Sequence, residues 1–346
     1  MKKNILFYSF FIVIIYLSSL SWEYIILPYS ESSIIGEYSQ NRYNNHNDLL
    51  RYLIFVFIPL LILLIYFLIT NQFSYSNFLE KIKFKNQLNF FRENNKSLYL
   101  LLIIFNLFLI FEFLSIEFPM QKVDIFHEGQ QMSAAYKFRL DNSLWSGSYV
   151  TIGVIYEILA SNIAWNLFDN VSIGSTRFFD LVIIYLVKIF LVILCFQITI
   201  ITNLKKYLKN IYFILISLIS VNLLDYYFQA ADLDAREIFV ILTLMLIFQF
   251  LIGQNISRYL ILLLGPVSCL SIFYSVDRGL VVNFFIIFFL FILMIKKEKF
   301  FFGIFLSIIL SWFLSKYFLS NEFNFFIDNT LTTLNEINKI GGIIHP

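Results

Sequence analysis

The chain alternates between long apolar segments and short polar connectors. An α-helix needs about 20 mostly apolar residues to cross a hydrocarbon layer of ~30 Å, and about nine segments of this chain reach or approach that length. They lie at about 5–20, 52–70, 98–118, 181–202, 211–228, 238–253, 259–275, 280–295 and 300–319. The pattern predicts an all-α polytopic membrane protein that forms a single transmembrane domain over residues 1–346.

The longest connector, residues 119–180, carries a pattern of its own. Apolar residues recur at helical spacing over 128–140, and turn-forming residues follow at 141–148. The apolar stretch 151–168 predicts a juxtamembrane helix that lies in the membrane interface. If 149–168 instead crossed the membrane as a tenth span, every later connector would lie on the opposite side of the membrane.

Lysine and arginine in the short connectors predict an orientation, because cytoplasmic loops are enriched in these residues. Every second connector is basic if the N-terminus is cytoplasmic, which makes 119–180 extracytoplasmic. The first segment follows Met1-Lys2-Lys3 and lacks a clear cleavage site near Trp22, which favours an uncleaved anchor over a signal peptide. The basic residues on the predicted cytoplasmic side are Lys2, Lys3, Lys81, Lys83, Lys85, Arg92, Lys96, Lys205, Lys206, Lys209, Arg258, Lys296, Lys297 and Lys299.

Composition excludes several classes of protein. The chain is 59% hydrophobic and 14% charged with a mean hydropathy of +0.77, which is outside the range of soluble domains. Cys195 and Cys269 both lie in apolar segments, so they predict neither a disulfide framework nor a thiolate metal site. The histidines match no zinc spacing, and a net charge of +2 gives no reason to expect a nucleic-acid partner.

Three charged clusters that are distant in the sequence share the predicted outer face. They are Asp124 with His127 and Glu128, then Asp232 and Asp234 with Arg236, then Asp277 with Arg278. Each also has an ordinary explanation, as a polar loop that leaves the membrane, a helix cap, or an interfacial arginine paired with its neighbour.

The first cluster has the composition of an acid–base site. Asp124, His127 and Glu128 stand at i, i+3 and i+4, so one helical turn presents all three on one side. A carboxylate beside an apolar wall can have a raised pKa, and two neighbouring carboxylates separate their pKa values, so Asp124 or Glu128 could act as a general base. His127 is a pocket residue in this interpretation.

The second and third clusters contain arginines that need anionic partners. A cation at the start of a helix is unfavourable, so Arg236 needs Asp124, Glu128 or a phosphate. The short loop around Arg278 places this residue at the membrane surface, where a lipid-linked phosphate would lie.

Two charged residues fall within predicted spans, where a charge is expensive unless it is paired or functional. Counted from the outer ends of their spans, Glu112 and Lys188 lie at similar depths of ~9 to 11 Å. We therefore expect an intramembrane ion pair between Glu112 and Lys188.

The long extracytoplasmic connector 119–180, called the outer loop below, resembles part of a known protein family. HEGQQMSAAYKFRLDNSLWSGSYV and GVIYEILASNIAWNLFDNVSIGSTRFFDLVIIYL are similar to the first extracytoplasmic loop of GT-C superfamily glycosyltransferases, which include protein O-mannosyltransferases and the bacterial aminoarabinose transferase. The resemblance covers about 120–190 and makes the chain a divergent member with two extra spans in 5–70. Its end at 341–346, without the further spans or soluble domain of many relatives, is expected of a fragment or a minimal member.

The resemblance implies a function. Such enzymes transfer a sugar from a polyprenyl-phosphate-linked donor to an acceptor hydroxyl on a glycan, lipid or protein, at the outer face of a bacterial inner membrane. Asp124 or Glu128 would be the base, and Arg236 and Arg278, with Arg177 or Arg139 in reserve, would bind the donor phosphate. Some members require a divalent cation, which Asp232 and Asp234 could hold together with Asp124, although a helix cap explains the two aspartates equally well.

Two other classes of function are compatible with the pattern. A transporter or lipid-sugar flippase would use Glu112 and Lys188 as substrate or proton-coupling groups, and it should show inverted repeats. A non-catalytic scaffold of the cell envelope would not need its three outer loops to converge.

Overall fold

The structure, a computed structural model, describes 10–20, 96–116, 127–150, 152–202, 204–225, 233–252 and 255–340, together with individual residues between 50 and 66. The regular elements of these described residues are helical and none is a strand, which confirms the all-α prediction. The chain divides into two compact units, Phe84–Leu331 and a second that combines Met1–Lys83 with Thr332–Pro346. The first of these contains all the sites described below.

The described residues form the following helices. In chain order they are α1 Phe10–Leu20, α2 Lys96–Ser115, α3 His127–Asp141, a π-helical turn Ile155–Leu159 continued by α4 Ala160–Phe168, α5 Ile173–Ile201, α6 Lys206–Asp225, α7 Leu233–Arg236, α8 Ile238–Ile252, a 3-10 helix Asn255–Leu263 continued by α9 Leu264–Tyr274, α10 Val276–Ile295, α11 Phe300–Leu319 and α12 Asn321–Ile340.

Within the described ranges, five helices are long and apolar enough to cross a membrane. They are Lys96–Ser115, Ile173–Ile201, Ser257–Tyr274, Val276–Ile295 and Phe300–Leu319. The helices α1 and α8 are apolar but shorter. The predicted span 52–70 lies largely outside the described residues. These helices are those of an all-α membrane protein, while the total of nine spans stays a prediction.

Helix α5 begins eight residues earlier than the predicted span at 181. Ser172 caps it, because the Ser172 side chain accepts the backbone N–H of Ser175 at 3.2 Å. With 29 residues the helix is ~43 Å long, so it exceeds a ~30 Å hydrocarbon layer. Arg177, predicted just before the span, therefore lies in the second turn of the helix itself.

The core of the second half forms where α8, the 3-10 helix, α9, α10 and α11 meet. Phe250, Leu264, Ile286 and Ile304 are at most 1% exposed there. Gly265 permits close packing of α9 on α11, because a Cβ at this position would lie 2.6 Å from the backbone carbonyl carbon of Ser307 in α11.

The outer loop folds into a compact layer. The Asn162 side chain donates to the carbonyl of Ala135 at 2.9 Å, which joins α4 to α3, and Trp165 Nε1 donates to the Ser172 carbonyl at 3.1 Å. The π-helical turn and α4 together run from 155 to 168, and ~21 Å is too short to cross a hydrocarbon layer. This length favours the juxtamembrane helix over a tenth span.

Helix α12 covers this layer, although the sequence pattern predicted no element there. The Asn329 side chain accepts from the Val150 N–H at 3.1 Å and donates to the Val150 carbonyl at 2.6 Å. Trp145 packs against Phe326 of α12 and Phe273 of α9, with ring centroids 5.1 and 5.6 Å apart. The loop is therefore fixed between α9 and α12.

One backbone contact joins the outer loop to the membrane helices. The N–H of Val276, at the start of α10, donates to the Ile152 carbonyl at 2.7 Å. A Cβ on the neighbouring Gly153 would lie 2.2 Å from the Tyr274 carbonyl oxygen and 2.4 Å from its carbon. Only glycine permits this approach.

We expect Gly153→Ala to lower the free energy of unfolding by about 1–3 kcal/mol, because the obstructing atoms are backbone and cannot rotate away. Gly129→Ala in α3 is the matched control, since a methyl group added there would have no neighbouring atom within 4 Å and alanine favours a helix. Thermal unfolding of the full chain in detergent measures both. Equal melting temperatures for the two variants would contradict the close approach.

Candidate functional site

An ion pair holds the start of α3 against α5. Arg177 Nε lies 2.5 Å from Glu128 Oε1, and Arg177 Nη2 donates to Glu128 Oε2 at 2.9 Å. Each side chain is only 18% exposed. Such a bidentate contact is stronger and more directional than a single hydrogen bond. Glu128 also lies in the first turn of α3, where the helix dipole favours an anion.

A second carboxylate, Glu157, is buried in the outer loop. It is 1% exposed and lies in the π-helical turn Ile155–Leu159. Glu157 Oε1 accepts from Gln130 Nε2 at 2.7 Å and from the Ile152 N–H at 3.2 Å, which compensates part of the cost of burial. Single π-helical turns are frequent at functional sites.

Glu157 was not among the residues predicted for the site. It occurs in the apolar sequence IYEIL, where a lone carboxylate could equally have faced water from an interfacial helix. The signal in the sequence was a charged residue within an apolar stretch, and its burial depends on Gln130 and Ile152.

Arg236 of the second predicted cluster forms one charged group with Asp277 and Arg278 of the third cluster and with Glu237. Arg236 Nη1 and Arg278 Nη1 lie 3.6 and 3.7 Å from Asp277 Oδ2, and Arg278 Nε lies 2.6 Å from Glu237 Oε1. In the described part of the chain the Nε atoms of both arginines are buried and make no hydrogen bond. The close Arg278–Glu237 contact is therefore ionic, with its N–H not aligned on the oxygen. Ser275 Oγ donates to Asp277.

The outer loop contacts residues that adjoin this group, so the outer loop, the start of α8 and the α9–α10 junction come together. The Ile152 carbonyl accepts the Val276 N–H, and Tyr156 packs against Tyr274 with centroids 5.7 Å apart. Tyr274 Oη then donates to the Ala235 carbonyl at 3.0 Å. The start of α5, the start of α8 and the junction of α9 with α10 thus share one end of the bundle.

Four predicted residues are described only in part or not at all. Asp124 and Asp232 lie outside the described residues. His127 begins α3 and Asp234 lies in α7, but their side chains are outside the description. Among the described residues no group of three His, Cys, Asp or Glu side chains could hold a metal ion.

Arg139 is not part of the site. It lies in the last turn of α3, exposed, and 11 residues or ~16 Å along the helix from Glu128. At the same end of α3, hydrogen bonds from Lys137 and Ser143 lower the pKa of Asp141 to about 2. This end of the helix therefore carries an ionised carboxylate as well as Arg139. The helical spacing predicted over 128–140 already implied that Glu128 and Arg139 lie at opposite ends of one helix.

The structure does not form the predicted pair between Glu112 and Lys188. The contacts of the described residues include no ion pair between them. Lys188 is 3% exposed with Nζ 4.7 Å from the Tyr185 ring centroid, and Tyr185 packs on Phe113 of α2 at 5.3 Å. The sequence predicts the depth of Glu112 and Lys188 in the membrane. It does not predict how α2 and α5 are rotated about their axes, and this rotation decides whether the two side chains face each other.

Comparison with known proteins assigns no family to the chain. No protein-family model matches it, and neither a curated protein nor a solved structure matches it. The functional proposal therefore depends on the geometry of these residues and on the resemblance in the outer loop.

Proposed function

We propose that this protein is a GT-C type membrane glycosyltransferase, which moves a sugar from a polyprenyl-phosphate-linked donor to an acceptor hydroxyl at the membrane surface. One observation carries the proposal. The outer loop, which carries Glu128, contacts the α9–α10 junction beside the arginine group of Arg236 and Arg278, at one end of an apolar helix bundle. A scaffold has no need for this convergence.

The arginine group is suited to a lipid-linked phosphate. Asp277 lies 3.6–3.7 Å from both guanidinium groups, beyond the usual 2.7–3.2 Å of a hydrogen bond, and its side chain is 51% exposed. An incoming phosphate can replace these long contacts and occupy the Arg236 and Arg278 donors more closely. Bidentate phosphate binding by arginine is directional, which also orients the sugar.

An open apolar groove lies below Arg177 between α2 and α5. Leu109 and Phe113 of α2 and Val182 and Tyr185 of α5 form its walls. The groove begins about one and a half turns beyond Arg177 along α5. An isoprenoid chain is the part of the donor that would fit such a surface.

Asp124 is favoured as the general base over Glu128. Both carboxylate oxygens of Glu128 contact Arg177, so a proton taken up there would disrupt the ion pair. We assign Glu128 and Arg177 as positioning residues that fix the start of α3. Asp124, which precedes this helix in the sequence, is then the base that we assign to the acceptor hydroxyl.

The reaction is a direct displacement. The base takes the acceptor hydroxyl proton as the acceptor oxygen bonds to the anomeric carbon. The bond from that carbon to the phosphate oxygen breaks, and its electron pair stays on the polyprenyl phosphate. Proton transfer contributes ~10² to 10⁴ in rate, and the arginines stabilise the charge that develops on the leaving phosphate.

A lipid-sugar flippase is the second candidate, and Lys188 is the observation that favours it. This lysine is 3% exposed near the middle of α5, and an ionisable residue within a span marks a functional pathway by default. Translocation of a lipid-linked sugar in proteoliposomes, without acceptor or product, would favour the flippase.

We expect Asp124→Asn to reduce kcat for sugar transfer by about 10²-fold or more, because the variant removes the base. Glu128→Gln and Arg177→Gln should each lower activity by a smaller factor, about 10-fold, and their double variant should be no worse than either single variant. Turnover of lipid-linked sugars by the purified protein measures all four. Full activity of Asp124→Asn would remove this residue from the mechanism.

We expect Arg236→Gln and Arg278→Gln to raise KM for the lipid-phosphate donor about 10-fold or more each, because each loses a charged phosphate contact. Arg139→Gln, on the far exposed end of α3, is the matched control and should leave KM unchanged. Inhibition by polyprenyl phosphate should weaken in parallel with KM. If KM for the acceptor rose instead, the phosphate assignment would be wrong.

A further inference from the structure

Arg258 occupies an unusual setting at the end of the bundle opposite the candidate site. Its Cζ lies 4.3 Å from the Phe250 ring centroid and 5.3 Å from that of Phe300. The guanidinium therefore contacts two aromatic rings. In the described part of the chain its Nε and Nη2 atoms are buried without a hydrogen-bond partner.

A second cation approaches the same ring. Lys299 Nζ lies 5.7 Å from the Phe300 centroid, so Arg258 and Lys299 flank one aromatic side chain. Among the described residues, no ion pair involves Arg258, Glu298 or Lys299. Cation–π contact partly compensates the buried charge, but it supplies no hydrogen-bond acceptor. An anion next to Arg258 would supply the missing acceptor, and the charge of Lys299 would attract an anion to this end of the bundle.

The position of this pair matches the depth of lipid headgroups. Helix α10 contains Asp277 and Arg278 in its first turn and ends at Ile295. Its 20 residues span ~30 Å, which is the thickness of a hydrocarbon layer. The Arg258–Lys299 pair therefore lies across the membrane from the candidate site. On the orientation predicted from lysine and arginine, it faces the cytoplasmic leaflet, where anionic lipids attract basic residues.

An apolar surface continues from the pair along α11. Phe302 and Leu306 are 74% and 66% exposed and one turn apart, and helical spacing places them on the same side of α11 as Lys299. A free anion gains nothing from such a surface, whereas a phospholipid would place its phosphate at the cations and an acyl chain along α11.

We propose that Arg258 and Lys299 bind the headgroup phosphate of an anionic phospholipid, while the buried rings of Phe250 and Phe300 support the Arg258 guanidinium from the protein side. The site is separate from the proposed glycosyltransferase site and does not depend on that function. The Arg258 guanidinium lies beside the two rings, which are themselves in edge contact with centroids 5.2 Å apart, and Lys299 adds a second charge at the same end of the bundle.

Binding of phosphatidylglycerol and phosphatidylcholine to the full chain in detergent, counted by native mass spectrometry, tests this site. We expect the wild type to prefer phosphatidylglycerol, and Arg258→Gln and Lys299→Gln to weaken that binding about fivefold each, as for one basic residue near an anionic surface. Lys205→Gln is the matched control, because this exposed lysine lies between α5 and α6 at the same end of the bundle. It should change binding less than twofold.

Two further measurements separate the alternatives. Arg258→Lys keeps the charge but loses the planar group, and it should bind phosphatidylglycerol with intermediate affinity while melting like the wild type in phosphatidylcholine nanodiscs. An equal loss of binding in the Lys205→Gln control would overturn the proposal in favour of diffuse attraction. Stabilisation by inorganic phosphate in those nanodiscs, as large as that by phosphatidylglycerol, would overturn the lipid as the ligand.

Discussion

The cost of placing a charge in hydrocarbon organises this protein. Charged residues make up 14% of the chain, and an unpaired charge within a span costs several kcal/mol. Arg236 and Arg278 consequently lie at one end of α8 and α10, and Arg258 lies near the other end. Lys188 instead lies near the middle of α5, where its ammonium group contacts the face of the Tyr185 ring.

The second constraint is the close contact between the outer loop and the helix junction of α9 and α10. Ile152 bonds to Val276, and Gly153 lies directly against the Tyr274 carbonyl. This contact places Tyr156 on Tyr274 and leaves the adjacent Glu157 buried under Gln130. A loop anchored in this way can hold a reacting group at a fixed distance from the arginines, which a freely moving loop could not.

The sequence predicted those features that depend on periodicity and failed on those that depend on rotation and pairing. Apolar runs located α2, α5, α9, α10 and α11, because burial in a membrane dictates length and hydropathy. The early start of α5 was missed because Arg177 and Asp180 interrupt the apolar pattern, although the cap at Ser172 was present in the sequence. Helix α12 was missed because its contacts, through Asn329 and Phe326, are with the outer loop.

Pairing between distant residues has no local signal, and the Glu128–Arg177 contact illustrates the consequence. The sequence assigned Glu128 to acid–base chemistry on the position of a carboxylate, and the resemblance made Arg177 a reserve ligand for the phosphate. In the structure each is the partner of the other, at 2.5 and 2.9 Å. A carboxylate bound through both oxygens holds a helix better than it accepts a proton. We therefore propose Asp124, four residues earlier in the sequence, as the base, and the Glu128–Arg177 ion pair as the contact that fixes the start of α3.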